Sequence, residues 1–267
     1  MDLELLLGAL LLGVVEGLTE FLPVSSTGHL ILVGDLIGFR GPPGQVFEVV
    51  IQLGAISAVC WEYFGRFARA ASRFHHDQDQ FRFLLNILLA FVPTVVVGAF
   101  AYSFIKAYLF DPWVVVIALV LGGVAILIIE QKLPAPRHES VEQMPARTAF
   151  AVGLCQVVSM IPGVSRAGAT IMGGLLLGLD RRTATEFSFF LAVPTMLAAS
   201  VLDLYKNWGQ MNGDGLLVIA IGFFAAFVAA LMVVRWLIRF VSHHDFTPFA
   251  WYRIVVGGVM ALFLLLR

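Results

Sequence analysis

Leu22-Pro23-Val24-Ser25-Ser26-Thr27-Gly28-His29 interrupts an apolar stretch, residues 3–37, that is too long for one helix. Pro disfavours helical geometry in the residue before it, and Ser and Thr favour helix starts. The stretch therefore reads as two half-helices meeting at a loop. Residues 149–179 are broken in the same way, at Ile161-Pro162-Gly163-Val164-Ser165-Arg166-Ala167-Gly168. Irregular backbone is tolerated at membrane depth only where protein or water satisfies its polar groups. Each segment is expected to dip into a membrane and return to the side it came from.

The rest of the chain fits that setting. Of 267 residues, 60% are hydrophobic and 13% charged, with a mean hydropathy of +0.91. A soluble domain would carry roughly 25% charged residues. Runs at 83–104, 112–130, 184–204, 215–238 and 250–266 are each near the ~20 residues that cross a bilayer. Residues 44–64 make a sixth, with Glu48 and Gln52 inside it. The expected fold class is an all-α polytopic membrane protein of six transmembrane helices plus two re-entrant hairpins, one membrane domain over residues 1–267. The start, Met1-Asp2-Leu3-Glu4, lacks the basic region of a cleavable signal peptide. The net charge of −1 gives no sign of a nucleic-acid partner. Cys60 and Cys155 lie in apolar segments and read as small packing residues.

Of the 17 Lys and Arg, twelve fall on one side if six spans alternate and two segments dip. They are Arg66, Arg69, Arg73, Arg82, Lys132, Arg137, Arg147, Arg181, Arg182, Arg235, Arg239 and Arg253. Arg40, Lys106, Lys206 and Arg267 fall on the other, and Arg166 lies inside an apolar segment. The positive-inside rule puts the twelve in the cytoplasm and both termini outside. A competing layout makes the dipping segments full spans.

The two broken segments also look like copies. An offset of 140 aligns Gly13 with Gly153, Thr19 with Ser159, Val24 with Val164, Ser25 with Ser165 and Gly28 with Gly168. Pseudo-repeats over about 1–130 and 141–267, joined by a cytoplasmic linker at 131–148, follow. Because one segment enters from each side, the repeats are expected to be inverted, with the broken helices meeting near the midplane.

The chemistry gathers at the breaks. Gly13, Glu16, Gly17 and Glu20 share one helical stripe. Carboxylates at membrane depth cost several kcal/mol unless paired or wetted, and two on one face repel. A proton, a cation or a divalent metal is therefore expected between Glu16 and Glu20. Ser25, Ser26 and Thr27 open a short helix, whose free N–H groups and positive dipole end suit a phosphate. His29 follows, able to act as nucleophile, acid or base. Arg166 is the only Arg or Lys in 148–180. A buried guanidinium needs an anionic partner, and its planar donors match phosphate oxygens. The bland alternative is an Arg166–Glu20 ion pair without chemistry. Gln156 aligns with Glu16 and Met160 with Glu20, so one asymmetric site is expected. The loop histidines His75, His76, His138, His243 and His244 read as solvated, Glu48 and Gln52 as supporting groups, and Glu186 and Asp203 as interfacial.

The stretches Glu16-Gly17-Leu18-Thr19-Glu20-Phe21-Leu22-Pro23-Val24-Ser25-Ser26-Thr27-Gly28-His29 and Pro162-Gly163-Val164-Ser165-Arg166-Ala167-Gly168-Ala169-Thr170 resemble the two signatures of the bacterial undecaprenyl-pyrophosphate phosphatases, or bacitracin-resistance proteins. Ala167 stands where that family often has Ser. The resemblance covers essentially the whole chain. It implies six spans with two re-entrant pairs, and removal of the terminal phosphate of undecaprenyl pyrophosphate to give the carrier for peptidoglycan synthesis. It also implies a divalent cation and a site open to the periplasm. By position it makes Glu16, Glu20, Ser26, His29, Arg166 and Thr170 the functional residues. In that scheme Arg166, Ser165, Thr170, Ser25, Thr27 and Gly163 hold the pyrophosphate, and Glu16 and Glu20 carry Mg²⁺ or Ca²⁺ or handle protons. The nucleophile is either His29 or Ser26 activated by His29. A homodimer stays open. The alternative function is a transporter or flippase for the polyprenyl phosphate, since inverted broken helices are also a transporter architecture.

Overall fold

A computed structural model describes residues 3–40, 46–109, 111–207 and 215–266. Both chain ends, including Arg267, lie outside the described residues, as do residues 44 and 45 of the sixth run and the side chains of Lys106 and Lys206. The expected position of the termini outside the cell thus falls on residues that are not described.

The apolar runs become helices. They are α1 (Leu3–Thr19), α2 (Ser26–Leu36), α3 (Val46–Glu62), α4 (Phe64–Arg73), α5 (Gln78–Tyr108), α6 (Pro112–Gln131), α7 (Ala146–Val158), α8 (Arg166–Leu176), α9 (Arg181–Asn207), α10 (Leu216–Val241) and α11 (Thr247–Leu266). Two of the spanning helices start on side-chain caps. The Asp77 side chain accepts from the N–H groups of Asp79 and Gln80 at the start of α5, and Asp111 from Trp113 at the start of α6. By length and composition α5, α6, α9, α10 and α11 can each cross a membrane, and α3 with α4 makes a sixth span bent by 70°. The chain is an all-α, multi-pass membrane protein.

The broken segments fold as read, each a pair of short helices. α1 with α2 and α7 with α8 flank the two breaks. Ser26–Leu36 and Arg166–Leu176 correspond residue for residue at the offset of 140. Just before each, Ser25 and Ser165 take φ of 70° and 75°, the positive-φ non-glycine positions among the described residues. Packing repeats too. α1 lies on α10 and α7 on α5, α3 meets both α10 and α9, and α6 pairs with α11.

One end of the bundle is stitched by ion pairs. Arg66 bonds Glu142 at 2.6 Å and Glu186 at 3.4 Å. Arg181 bonds Glu130 at 2.5 Å, Arg182 bonds Glu186 at 3.2 Å, and Arg235 bonds Glu62 at 2.6 Å. These pairs join α4 to the linker and to the start of α9, α9 to the end of α6, and α10 to the end of α3, and they use Arg66, Arg181, Arg182 and Arg235 of the twelve that the count grouped together. Glu186, at the start of α9, pairs with both Arg66 and Arg182. Arg253 departs from the count. It is 1% exposed inside α11, not in a loop, because its run begins before it and the helix simply continues through it.

The stripe on α1 packs as its glycines require. A Cβ on Gly17 would collide with the Ala226 carbonyl and come within 2.7 Å of the Ala229 side chain, both on α10. Small residues at such crossings let backbones approach, which matters where lipid supplies no hydrophobic drive between helices. Gly17→Val should therefore destabilise the protein by about 1–3 kcal/mol, read as a lower thermal midpoint in detergent. Gly34→Ala, with nothing within 4 Å of its added Cβ, should leave the midpoint unchanged.

Candidate active site

The two breaks meet. Glu20, Ser25, Ser26, Thr27, Ser159, Ile161, Pro162, Gly163, Ser165 and Arg166 line one cavity of about 160 Å³, together with Gln52 of α3 and Met196 of α9. The ion pair foreseen as the bland reading is present: Arg166 Nη2 lies 3.2 Å from Glu20 Oε1. It does not stand alone. The Ser26 hydroxyl donates to the other oxygen of Glu20, Oε2, at 2.6 Å. Arg166 Nη1 also donates to the Ser188 carbonyl at 2.8 Å, and the Phe21 ring lies 5.6 Å from its guanidinium carbon. Glu20 thus joins a serine hydroxyl of one loop to the arginine that opens the other half-helix.

Glu16 stands one turn behind Glu20 on the same chain. It is completely buried, and neither carboxylate oxygen has a hydrogen-bond partner. Its counterpart Gln156 is equally buried and donates to the hydroxyls of Thr94 at 2.8 Å and Thr195 at 3.2 Å. The two aligned positions thus differ in kind, one a buried acid without a partner and the other an amide bonded to threonines.

The helix starts differ as well. Ser165 caps α8, its Oγ accepting from the Gly168 N–H at 3.0 Å. Ser25 makes no such bond at α2. Its carbonyl instead accepts from His29 Nδ1 at 2.7 Å. A carbonyl can only accept, so Nδ1 carries the proton. His29 Nε2 is then the acceptor in the neutral ring, and Tyr252 places its hydroxyl 2.7 Å away. Both ring nitrogens are engaged, and neither bond goes to Ser26. The expected Ser26–His29 dyad is absent among these bonds because the ring turns toward α11 instead.

Thr170 is almost fully buried. Its hydroxyl bonds the Arg166 carbonyl at 2.9 Å and the Ser188 hydroxyl at 2.7 Å. It supports Arg166 from behind and does not line the cavity. Gly163 does line it, at φ 93° and against the backbone of Val115, where a side chain has no room. Glu48 is exposed on α3, while Gln52 joins the cavity wall.

Three residues at the site were not singled out in the sequence. Ser188 and Tyr252 carried no local signal. Arg253 did carry one, since like Arg166 it is an arginine inside an apolar run. Its five N–H donors meet five backbone carbonyls. Nε donates to Leu119 at 3.2 Å, Nη1 to Pro23 at 3.0 Å and Val164 at 2.9 Å, and Nη2 to Ala118 at 3.0 Å and Gly163 at 2.9 Å. Pro23 lies in the first break, and Gly163 and Val164 in the second.

A family model described as bacitracin resistance protein BacA matches residues 9–259. Among similar proteins, "Undecaprenyl-diphosphatase 2" of Paramagnetospirillum magneticum is 56% identical over 98% of this chain and 100% of its own. "Undecaprenyl-diphosphatase" of Methylobacillus flagellatus is 50% identical over 97% of this chain and 98% of its own. A protein of the same name from Methylococcus capsulatus is 54% identical over 95% and 93%. With the family model covering nearly the whole chain and these identities sustained from end to end, the chain belongs to the BacA family of bacitracin resistance proteins.

Proposed function

We propose that this protein hydrolyses undecaprenyl pyrophosphate to undecaprenyl phosphate and inorganic phosphate. That reaction recycles the lipid carrier for peptidoglycan synthesis and underlies bacitracin resistance. The observation that carries the reading is the chain of contacts Ser26–Glu20–Arg166 at a polar cavity inside a membrane protein. A hydroxyl and a phosphate-binding cation are each within bonding distance of the same carboxylate, the base.

In this mechanism the anionic headgroup draws Arg166 toward its terminal phosphate, where the planar guanidinium suits two oxygens. The first-turn N–H groups of α2, which Ser25 leaves uncapped, add donors at the positive end of the helix. Ser165 and Thr27 supply hydroxyls on the cavity wall. Glu20 takes the Ser26 proton as the hydroxyl oxygen attacks phosphorus. The bridging P–O bond breaks and undecaprenyl phosphate leaves. Water then attacks the phosphoserine, releases phosphate and restores Ser26. Engagement of both His29 nitrogens elsewhere favours Ser26 over His29 as nucleophile and gives His29 the task of orienting the loop through the Ser25 carbonyl.

The chemistry of Glu16 and Glu20 fits a divalent cation, Mg²⁺ or Ca²⁺. Both are oxygen donors, and the two Glu16 oxygens are buried without a partner. Among the described residues no group of three His, Cys, Asp or Glu side chains converges, so these two carboxylates are all the acid ligands the site offers. Such an ion would offset the negative charge of the phosphates when bound.

We place the protein in the bacterial inner membrane, with its arginine-stitched end in the cytoplasm and the site open to the periplasm. The matched half-helices and repeated packing support two copies inserted in opposite senses.

Arg166→Ala and Glu20→Ala should each lower phosphate release from a polyprenyl pyrophosphate by about 10²–10³-fold, measured on purified protein in detergent. Wild-type rates in either would sink the mechanism. Acid quenching during turnover should trap an acid-stable phosphoenzyme that Ser26→Ala lacks, whereas an acid-labile label would move the nucleophile to His29. Chelation should lower the rate and added Mg²⁺ restore it, and Glu16→Gln should raise the Mg²⁺ concentration needed.

A further inference from the structure

We propose that Arg253 is a positioning residue for this reaction, holding the two loops in the one register that aims Ser26 and Arg166 at the same phosphate. The inference rests on the roles given above to Ser26 and Arg166. Its basis is the connectivity of one side chain. Nη1 binds the carbonyl of Pro23, three residues before Ser26, and that of Val164, two before Arg166. Nη2 adds Gly163 and anchors the assembly to Ala118 of α6. Both loops are therefore tied to each other and to a membrane-spanning helix through one rigid planar group.

Among the described residues, two other bonds cross between the loop segments. The Ser165 hydroxyl reaches the Leu22 carbonyl at 3.4 Å, long for such a bond. The Arg166–Glu20 pair is the second, but its members are the reacting groups and must change partners when phosphate arrives. Arg253 makes no contact with the cavity and no ion pair among the described residues, so its bonds need not change during turnover. It can hold the register while Arg166 moves. The preceding residue, Tyr252, bonds His29, so α11 fixes three points around the site with two consecutive side chains.

Lysine cannot replace this fork. It offers three donors from one atom, against five spread over a plane. Gly122 gives a second handle, because a Cβ there would collide with Arg253 Nη2. Gly122→Ala thus displaces the guanidinium without removing its charge.

The test uses the purified full chain, with kcat and KM for a polyprenyl pyrophosphate taken per folded molecule and the folded fraction read by thermal unfolding. In Arg253→Lys, kcat should fall about 10²-fold, as a misplacement near 1 Å would cause, while KM stays within about threefold. Gly122→Ala should move in the same direction. Spin labels in place of Thr27 and Ile161 should show a broader distance distribution in Arg253→Lys than in the parent. Wild-type kcat per folded molecule, or a change confined to KM, overturns the proposal. If Arg253→Lys does not fold, the kcat of Gly122→Ala decides in the same way. If the wild type itself releases no phosphate, the phosphatase reading fails, and an unchanged label distance would then overturn the positioning role separately.

Discussion

Backbone that leaves helical geometry inside a bilayer exposes carbonyls that no intrahelical N–H can satisfy, and the fold turns on how those carbonyls are met. At the two breaks much of the answer is one side chain, beside His29 on the Ser25 carbonyl and Ser165 on the Leu22 carbonyl. Arg253 supplies five donors to five carbonyls, three of them in the loops. Water would serve the hydrogen bonds but would let the loops drift. A helix continued through either break would satisfy the backbone and remove the site. A buried guanidinium without a carboxylate partner is costly in hydrocarbon. Here the carbonyl oxygens take the place of hydration, and one of them belongs to Gly163 on the wall of the polar cavity.

The second organising element is Glu20. It accepts from Ser26 and faces Arg166, so it sets the resting state of both groups. A carboxylate that held only the arginine would be a structural pair. One that also receives a serine hydroxyl at 2.6 Å can become a base once the arginine is drawn to a competing anion. The Glu16 carboxylate behind it has no partner of its own. In the second half the same two positions are Gln156 and Met160, and Gln156 bonds threonine hydroxyls. Of the two aligned pairs, only Glu16 and Glu20 are acidic, which suits the single reacting centre proposed.

Much of this was legible in the chain. The interrupted segments, the stripe of Gly13, Glu16, Gly17 and Glu20, and the isolated Arg166 are local features, so periodicity and composition reveal them. The ion pair between residues 20 and 166 was legible only as the bland alternative, on the rule that a buried charge seeks its opposite. What stayed hidden depends on contacts over long separations. His29 faces Tyr252 across 223 positions, and no local pattern shows which way its ring turns. Thr170 matches the signature by position, yet the helix rotates its hydroxyl toward Ser188 and away from the cavity. Arg253 was grouped with loop arginines because counting charges by side treats an arginine near a span end as solvated. The same question asked of Arg166, what anion or carbonyl set meets it, would have separated Arg253 from the others.

The two half-helix starts differ in a way that the proposed phosphate chemistry would use. Both begin after a serine held at positive φ, so their backbones are alike. At α8 the Ser165 hydroxyl occupies the Gly168 N–H, and the first residue is the arginine that reaches outward. At α2 the Ser25 side chain makes no cap, its carbonyl is held by His29, and the first residue is Ser26. One helix end is closed and supplies a cation. The other has no side-chain cap and, in the proposed mechanism, supplies the nucleophile together with its first-turn N–H donors. An anion set between them meets positive charge from both sides, and the attacking oxygen comes from the side whose backbone is still available to hold it.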